Sequence, residues 1–368
     1  MDNYFLVVTP GLEEIARAEA TNFGMIGEIT FGGVNFKGGL KELYSLNLNS
    51  RVGSSVLARI GQSFFARSDS ELGNRALKLP WKRWIKDDSI IKVKASCSKS
   101  RLMHSGMVEN VILSSIRKNV SIAPKSEYKE GIPVVEVSVR VSEDLATVSI
   151  NSSGELLHKR GYRTEVTRSP MRETLAAALI YSSGWNKNFP LIDPFCGSGT
   201  IPIETALIAD SVQPGINRNF AFENFPNYNQ AIFEEIRIAS IPPGKSLSIR
   251  GYDRDAGAIE IAKRNALRAG LRESVHFSHQ ALSYLEPTGS IGHIVTNPPY
   301  GERLKSHNDL RNLYAQLGKI LIEKFIGWTI TLITNDIVIA GHSGIKFEPL
   351  LKTTNGGIDT YFLQAKIG

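Results

Sequence analysis

Cysteine and long apolar runs are both scarce in this chain. Its 368 residues include only two cysteines, Cys97 and Cys196, which lie far apart. This spacing offers no disulfide framework and no cysteine-based metal site, and it is typical of a reducing compartment. The first apolar run, residues 4–8, is far too short for a signal peptide or a membrane span, and no later run approaches span length. We therefore expect a cytoplasmic protein with no metal and no membrane partner.

Acidic residues are outnumbered, and the imbalance is local. The chain carries 43 Lys and Arg against 36 Asp and Glu, a net charge of +7. Residues 51–118 alone contain 14 Lys and Arg against five acids, a local net of +9, so the remaining chain is close to neutral. A solvated surface would explain such a segment, and so would a polyanionic partner. The choice depends on whether other features indicate a nucleic acid.

The chain divides by pattern into three α/β regions and a linker. Residues 1–62 follow the order β-α-β-β-α-β, which is typical of a small ferredoxin-like domain. Residues 63–155 continue with helices and alternating strands and contain most of the basic segment. Residues 156–170 have the character of an interdomain linker. Residues 171–368 alternate strands and helices as a doubly wound sheet does.

Cationic side chains in the second region and the linker are candidates for contact with phosphates. Two of them alternate with apolar residues on a predicted strand, so one face of that strand is basic. The candidates are Lys92 and Lys94 on that strand, Lys99 and Arg101 in the polar segment after it, and Arg160 and Arg163 in the linker. Trp81 and Trp84 could stack on bases, but their i, i+3 spacing favours a place in a core.

A glycine-rich loop follows the first short strand of the third region. From Asp193 to Thr200 the sequence is Asp-Pro-Phe-Cys-Gly-Ser-Gly-Thr, and a predicted helix comes next. Gly197 and Gly199 permit positive φ and close approach to a ligand, while the helix start offers free N–H groups. The loop lacks the Lys-Ser/Thr of a phosphate-cradling loop, which disfavours a nucleoside triphosphate. Cys196 could be the nucleophile of a base C5 methylation, but its place in the loop favours a packing role.

Polar residues also mark the ends of the next three predicted strands. They are Asp253, Gln280 and Asn297. An acid at the tip of the second strand of such a sheet can bind both hydroxyls of a ribose. Because ligands bind outside the carboxyl ends of parallel strands, these residues and Asp193 are expected to share one ligand-binding rim.

The fourth strand of this region leads into Asn297-Pro298-Pro299-Tyr300. An exocyclic amine on a base is a poor nucleophile because its lone pair is delocalised into the ring. Asn Oδ1 and the carbonyl of Pro298 can accept from the amine and free that lone pair, since the prolines keep the backbone extended. Tyr300 offers a ring face on which the base can stack. In isolation the motif could be a proline-terminated strand end, but its place on the rim favours methylation of an amine.

These motifs resemble those of a known family. The glycine loop and residues 296–304 look like those of class I S-adenosylmethionine-dependent methyltransferases that modify exocyclic amines. Nearly the whole chain, including Leu79-Pro80-Trp81 and Pro214-Gly215-Ile216, is similar to the bacterial THUMP-domain 23S ribosomal RNA guanine-N2 methyltransferases. The resemblance implies a Rossmann-like domain with a doubly wound seven-stranded sheet, preceded by ferredoxin-like and THUMP α/β domains. It further implies S-adenosylmethionine as cofactor and structured RNA, either 23S ribosomal RNA or a ribosomal precursor, as the partner of a monomer.

The resemblance also implies roles for individual residues. Asp193, Gly197 and Gly199 would cradle the methionine part of the cofactor, and Thr174 would lie near its carboxylate. Asp253 would bind the ribose, and the catalytic segment Asn297, Pro298, Pro299 and Tyr300 would hold the guanine amine. The candidate cofactor-binding residues are Thr174, Asp193, Pro194, Cys196, Gly197, Ser198, Gly199, Thr200, Asp253, Arg254, Gln280, Ala281 and Asn297. Arg303 joins the candidate RNA contacts.

The sequence departs from the family pattern in two ways and leaves three alternatives. Family members usually carry Asp where Gln280 stands; its amide oxygen can still accept from adenine, so we expect cofactor binding to persist at lower affinity. Some relatives continue into a second methyltransferase domain, whereas this chain ends at Gly368, so we expect one modification. The alternatives are a transfer RNA guanine-N2 methyltransferase, a DNA adenine-N6 methyltransferase, and a non-catalytic RNA-binding assembly factor. The intact motifs disfavour the last, and the preceding basic region disfavours DNA.

Overall fold

The computed structural model divides the chain into two compact units. It describes residues 1–123, 132–165, 171–237, 248–271, 273–299 and 307–368. The first unit contains Met1–Val8, Ala20–Leu157 and Arg218–Ala239, and the second contains Thr9–Glu19, His158–Asn217 and Ser240–Gly368. The segment Arg218–Ala239, called here the returning segment, therefore interrupts the sequence of the second unit but packs with the first.

An eight-stranded sheet dominates the first unit. In chain order the first 151 residues form β1 (Asp2–Val7), α1 (Glu13–Asn22), β2 (Gly27–Thr30), β3 (Gly33–Gly38), α2 (Leu40–Asn49), β4 (Ser55–Arg59), β5 (Phe64–Phe65), α3 (Asp69–Ala76), α4 (Trp81–Trp84), β6 (Ile90–Ser98), α5 (Ser105–Arg117), β7 (Val134–Ser142) and β8 (Leu145–Asn151). The strands follow the order β2-β3-β1-β4-β8-β7-β6, with β5 paired to β8. Antiparallel pairing of β4 with β8 sets Leu57 opposite Asn151 and makes the sheet continuous. The predicted ferredoxin-like order of the first four strands is confirmed.

The returning segment supplies aromatic rings to the core of the first unit. Phe222 stacks on Tyr44 of α2 with ring centroids 4.4 Å apart, and Phe233 meets both rings edge-on. Phe225 meets Trp84 edge-on at 5.8 Å. Both tryptophans of α4 are only 1% exposed. Their placement in the core is therefore confirmed, and the idea that they stack on bases is wrong.

A doubly wound sheet forms the second unit. From residue 171 onward the chain forms α6 (Glu173–Ser182), β9 (Leu191–Asp193), α7 (Thr200–Ala209), α8 (Gln230–Arg237), β10 (Ile249–Asp253), α9 (Ala256–Arg268), β11 (His276–His279), β12 (His293–Thr296), α10 (His307–Lys324), β13 (Thr329–Thr334), α11 (Ile337–Gly341), β14 (Glu348–Asn355) and β15 (Ile358–Lys366), of which α8 belongs to the first unit. The order is β11-β10-β9-β12-β13-β15-β14. The first five strands are parallel, and β15 runs antiparallel to both neighbours. The predicted seven-stranded sheet is confirmed.

Helix α10 packs on the sheet that carries the rim. Leu317, Leu321 and Phe325 recur at helical spacing and are buried in one cluster with Ile330 and Leu332 of β13. This packing holds β12 and β13 in place from one side. Across the residue ranges given above, no helix has both the length and the apolar content that crossing a bilayer requires.

We expect Phe222→Ala to destabilise the first unit by about 3–5 kcal/mol, because it leaves a cavity against Tyr44 and Phe233. Hydrogen exchange of peptides from α2 should then rise in step with this loss. Phe31→Ala is the matched control, since Phe31 is 76% exposed, and it should change stability by less than about 0.5 kcal/mol. Equal exchange of α2 in the two variants would contradict a structural role for the returning segment.

Candidate active site

The end of β9 is tied to the end of β12 through Asp193. This carboxyl is buried, and its Oδ1 accepts from the hydroxyl of Thr296 at 2.6 Å and from the backbone N–H of Phe195 at 3.1 Å. Thr296 is also buried and is the last residue of β12. Asn297 follows it directly, so Asp193 fixes the backbone from which the asparagine projects.

The glycine loop is held to the end of β10 by Asp253. Asp253 Oδ2 accepts from the N–H of Gly197 at 2.9 Å, and Oδ1 accepts from the N–H of Asp255 at 2.9 Å. Each oxygen of a carboxylate has a further lone pair with which it can accept from another donor. Asp253 can therefore orient the loop and still accept from ribose hydroxyls.

Two residues of the loop have left-handed backbone conformations, which favour glycine. Gly197 has φ +52° and Gly199 has φ +84°, both in the left-handed region. A Cβ at Gly199 would also lie 2.9 Å from Phe277 and 3.0 Å from Ala262. Gly199 is the N-cap residue of α7, so the loop delivers the start of that helix to the rim.

The end of β11 is joined to the same rim. The backbone N–H of Gln280 donates to the carbonyl of Asp253 at 2.9 Å. Its side-chain Nε2 donates to the carbonyl of Tyr284 at 2.9 Å, which leaves the amide oxygen available as an acceptor. Arg254 and Ala281, the neighbours of these two rim residues, are exposed. Hydrogen bonds therefore connect β9 to β12 and β10 to both the glycine loop and β11.

Asn297 has an acceptor with no partner. Its Oδ1 is buried and makes no hydrogen bond within the described part of the chain, although a buried polar atom normally has one. Pro298, next to it, is buried. Of the other two residues of the predicted catalytic segment, Pro299 is half-buried, whereas Tyr300 lies outside the described residues. Arg303, a predicted RNA contact, also lies outside them.

Burial changes the acidity of two groups in the loop. It raises the pKa of Asp193 to about 7, against the hydrogen bond from Thr296, which lowers it. It also raises the pKa of the Cys196 thiol well above its usual range, and the carboxyls of Asp193 and Asp253 raise it further. A thiol that stays protonated is a poor nucleophile. These surroundings support the packing role for Cys196.

The candidate RNA contacts fall into two groups. Lys92, Lys94, Lys99 and Arg101 are exposed in the first unit, and Lys94 lies 3.5 Å from Glu136. In the second unit, Arg160 is buried and Arg163 is half-buried, and both side chains have internal partners. An RNA contact through them would require those ion pairs to open.

The linker arginines pair with carboxylates on two helices. Arg163 holds Glu173 of α6 with two hydrogen bonds of 2.9 and 2.7 Å. Arg160 forms an ion pair with the buried Glu204 of α7, which also accepts from the hydroxyl of Tyr162 at 2.8 Å. Thr174, the residue after Glu173, is buried on α6. These pairs give the linker a structural role that the sequence analysis did not anticipate.

Three contributors to the site were missed. Thr296 is one of them, and Asn265 of α9 is the second: its Nδ2 donates to the carbonyls of Ser198 and Glu165, both at 3.1 Å. Glu165 is the third, and it forms ion pairs of 2.5 Å with Arg264 and with Arg268 on the same helix. Arg264 and Arg268 are four residues apart and therefore lie on one helix face, which indicates a shared acidic partner. The sequence does not identify Glu165 as that partner.

The strand order, the glycine loop after the first strand and the Asn-Pro-Pro segment after the fourth define a class I methyltransferase domain. The chain belongs to the family of RMKL-like methyltransferase domains, whose pattern matches residues 160–343. Residues 3–57 match an RlmL ferredoxin-like domain, and residues 66–151 match a THUMP domain. The family predicted from the motifs is confirmed.

Known proteins resemble the chain over its full length. The ribosomal RNA large subunit methyltransferase K/L of Syntrophotalea carbinolica is 32% identical over 99% of this chain and 53% of that protein, so the chain spans about half of its relative. The crystal structure of SMU.472 with SAH is 30% identical, with a TM-score of 0.90, and covers 100% of this chain and 98% of the other. A predicted N6-adenine-specific DNA methylase of Listeria monocytogenes is 31% identical, with a TM-score of 0.89, over 98% and 95%.

Asp193 should make the second unit less stable as the pH rises. The pKa is raised from 3.8 to about 7 in the folded state, so its contribution to stability is complete below pH 3.8 and is lost as the pH rises through 7. Between pH 5 and pH 8 we expect the free energy of unfolding to fall by about 3 kcal/mol more than in Asp193→Asn, which cannot titrate. Urea denaturation at several pH values measures this difference. Burial also raises the pKa of Glu173 to about 7, but this contribution is the same in both proteins and cancels. Parallel pH profiles would contradict it.

Proposed function

We propose that the protein transfers a methyl group from S-adenosylmethionine to the exocyclic N2 amine of a guanine in ribosomal RNA of the large subunit. The buried Oδ1 of Asn297, which has no hydrogen-bond partner among the described residues, carries this proposal. It stands beside the buried Pro298 on the same rim as the glycine loop. An acceptor left without a donor at this position is what an incoming amine would satisfy.

The residues of the rim fit the cofactor. The glycine loop with Asp193 would hold the methionine part, and the free lone pairs of Asp253 suit two ribose hydroxyls. The amide oxygen of Gln280 can accept from the adenine amino group, because its nitrogen already donates to Tyr284. When bound, the cofactor supplies an electrophilic methyl group on sulfur.

Asn297 and Pro298 act on the amine rather than on the methyl group. Asn297 Oδ1 and the carbonyl of Pro298 would accept its two hydrogens and turn its lone pair out of conjugation with the ring. The cofactor, held by the glycine loop and Asp253, would supply the methyl group that this nitrogen accepts. The methylated amine is strongly acidic and loses a proton to water, so no charged general base is needed. The orientation of the amine by Asn297 and Pro298, more than any titrating group, therefore provides the rate enhancement.

RNA is the substrate class that the first unit supports. Its THUMP match and the exposed lysines of β6 both favour a structured polyanion. The name of the Syntrophotalea relative favours ribosomal RNA of the large subunit, and guanine N2 rests on the family resemblance. We place the reaction in the cytoplasm and propose that one chain suffices, because the rim residues described above all come from one chain.

A DNA adenine-N6 methyltransferase is the second candidate. The description of the Listeria structure favours it, and adenine N6 is also an exocyclic amine. Labelled S-adenosylmethionine, incubated separately with 23S ribosomal RNA and duplex DNA, distinguishes the two after nucleoside analysis. We expect label in N2-methylguanosine. Label only in N6-methyladenine would establish the second candidate and reject the first.

Asn297→Ala should lower kcat by about 10²–10³-fold, comparable to the loss of one preorganised hydrogen-bonding group in an active site. The affinity for S-adenosylmethionine, measured by titration calorimetry, should change by less than about threefold, because the glycine loop and Asp253 are untouched. Asn186→Ala, a substitution in the loop before β9, is the matched control and should retain activity. An Asn297→Ala protein that methylates at the wild-type rate would remove the basis of the proposal.

Cys196→Ala should retain methyl transfer within about twofold, since burial keeps the thiol protonated. A steady-state assay with saturating RNA tests this directly. Abolished transfer in a folded Cys196→Ala protein would instead support covalent attack on a base carbon.

A further inference from the structure

One end of the eight-stranded sheet brings exposed apolar and cationic side chains together. Strands β5, β6 and β7 end there, and β8 begins there. The proposed catalytic rim belongs to the other unit and uses none of these residues. The sheet tip, as we name it, consists of Phe65, Arg67, Lys99, Arg101, Met103 and Leu145.

The apolar side chains of the sheet tip face solvent. Phe65 is 64% exposed, Met103 73% and Leu145 37%. Phe65 lies directly opposite Leu145 in the pairing of β5 with β8. The next residue, Ala66, is fully buried, so the alternation along the strand turns the phenylalanine ring outward. An isolated exposed apolar residue is ordinary, but Phe65 and Leu145 are paired and form one exposed apolar surface. Met103 follows two residues after Arg101, which is bound to the same turn.

Asp144, in the turn between β7 and β8, holds the sheet tip together. Its carboxylate accepts from the N–H of Arg101 at 2.7 Å and lies 3.3 Å from the guanidinium of Arg67. Its carbonyl accepts from the N–H of Ala66 at 2.9 Å, and its own N–H donates to the hydroxyl of Ser100 at 3.0 Å. The segments that carry the aromatic ring and the cations are therefore fixed to one turn.

The charges identify the kind of partner. Asp144 offsets the charge of Arg67. The side chains of Lys99 and Arg101 are exposed in the same place, together with one exposed acidic residue, Glu143. Single-stranded nucleic acid is bound in this way, by aromatic rings under bases and cations beside phosphates. An apolar protein surface would remove water from Lys99 and Arg101 without compensation.

We propose that the sheet tip binds an unpaired nucleotide of the RNA substrate, with its base stacked on Phe65 and the adjacent phosphates held by Lys99 and Arg101. This contact uses none of the rim residues and would select substrates that have a single-stranded segment beside a helix. The inference rests on the proposed RNA substrate and adds a structural preference to it.

Fluorescence anisotropy with the full chain tests the proposal. The probes are a fluorescein-labelled RNA hairpin with a single-stranded overhang and the same hairpin with a blunt end. Phe65→Ala should weaken binding of the overhang probe by about tenfold, within the range of measured base–aromatic stacking, and binding of the blunt probe by less than about twofold. Phe65→Trp should retain the preference, because tryptophan also offers a stacking face.

Phe31→Ala is the matched control, since this ring of the same unit is also exposed and lies between β2 and β3 at the opposite edge of the sheet. It should bind both probes as the wild type does. The salt dependence of binding is an additional check. The slope of the logarithm of the binding constant against the logarithm of the salt concentration should fall in magnitude by about one for Lys99→Ala and for Arg101→Ala.

Two results would overturn the inference. One is a folded Phe65→Ala protein that binds both probes as the wild type does; the other is an equal loss for the two probes. A Phe65→Ala protein that binds RNA as the wild type does but no longer binds a protein partner would likewise reject RNA as the ligand of the sheet tip. Because no step requires methyl transfer, a wild type that methylates RNA without this preference rejects only the inference. Phe65-dependent binding without any transfer rejects only the proposed function.

Discussion

The hydrogen bond from Thr296 to Asp193 is the interaction on which the site depends. It joins the two central strands at the point where each reaches the ligand-binding edge. On one side it sets the direction in which Asn297 leaves its strand, and on the other it positions the start of the glycine loop. The proposed place for the methyl donor and the proposed acceptors for the amine are thereby fixed relative to each other by one buried contact. Alignment of two reactants needs such rigidity, because small displacements of reacting atoms are costly in rate.

Two ion pairs, each with a buried carboxylate, add to this rigidity by fixing the linker. Arg160 with Glu204 and Arg163 with Glu173 attach the linker to α7 and α6, the helices that follow and precede the first strand of the site in the chain. Removing one partner of such a pair leaves an uncompensated charge, which costs far more than the pair itself contributes. The pairs therefore enforce one arrangement of linker and helices more than they add to stability.

Short-range features of the sequence were sufficient to predict the rim. Asp253 and Gln280 stand at the ends of apolar strands, and the parallel topology, readable from the alternation with helices, brings those ends together. Features that depend on distant partners could not be predicted. Thr296 looks like any β-branched strand residue until Asp193, far away in sequence, is placed beside it. Likewise, the sequence around Arg163 is compatible both with a phosphate-binding loop and with an internal ion pair. Phe222 lies in a stretch with no hydrophobic periodicity, so its place in a core could not be predicted.

The returning segment has a consequence for how the protein is made on the ribosome. The chain passes between the two units five times, and the last part of the first unit is Arg218–Ala239. The core around Tyr44 therefore lacks its stacking partner until roughly two-thirds of the chain has been synthesised. N-terminal domains ordinarily fold as they emerge, but here the aromatic cluster closes only after the glycine loop has also been translated. Completion of the first unit is thus coupled in time to the synthesis of the second.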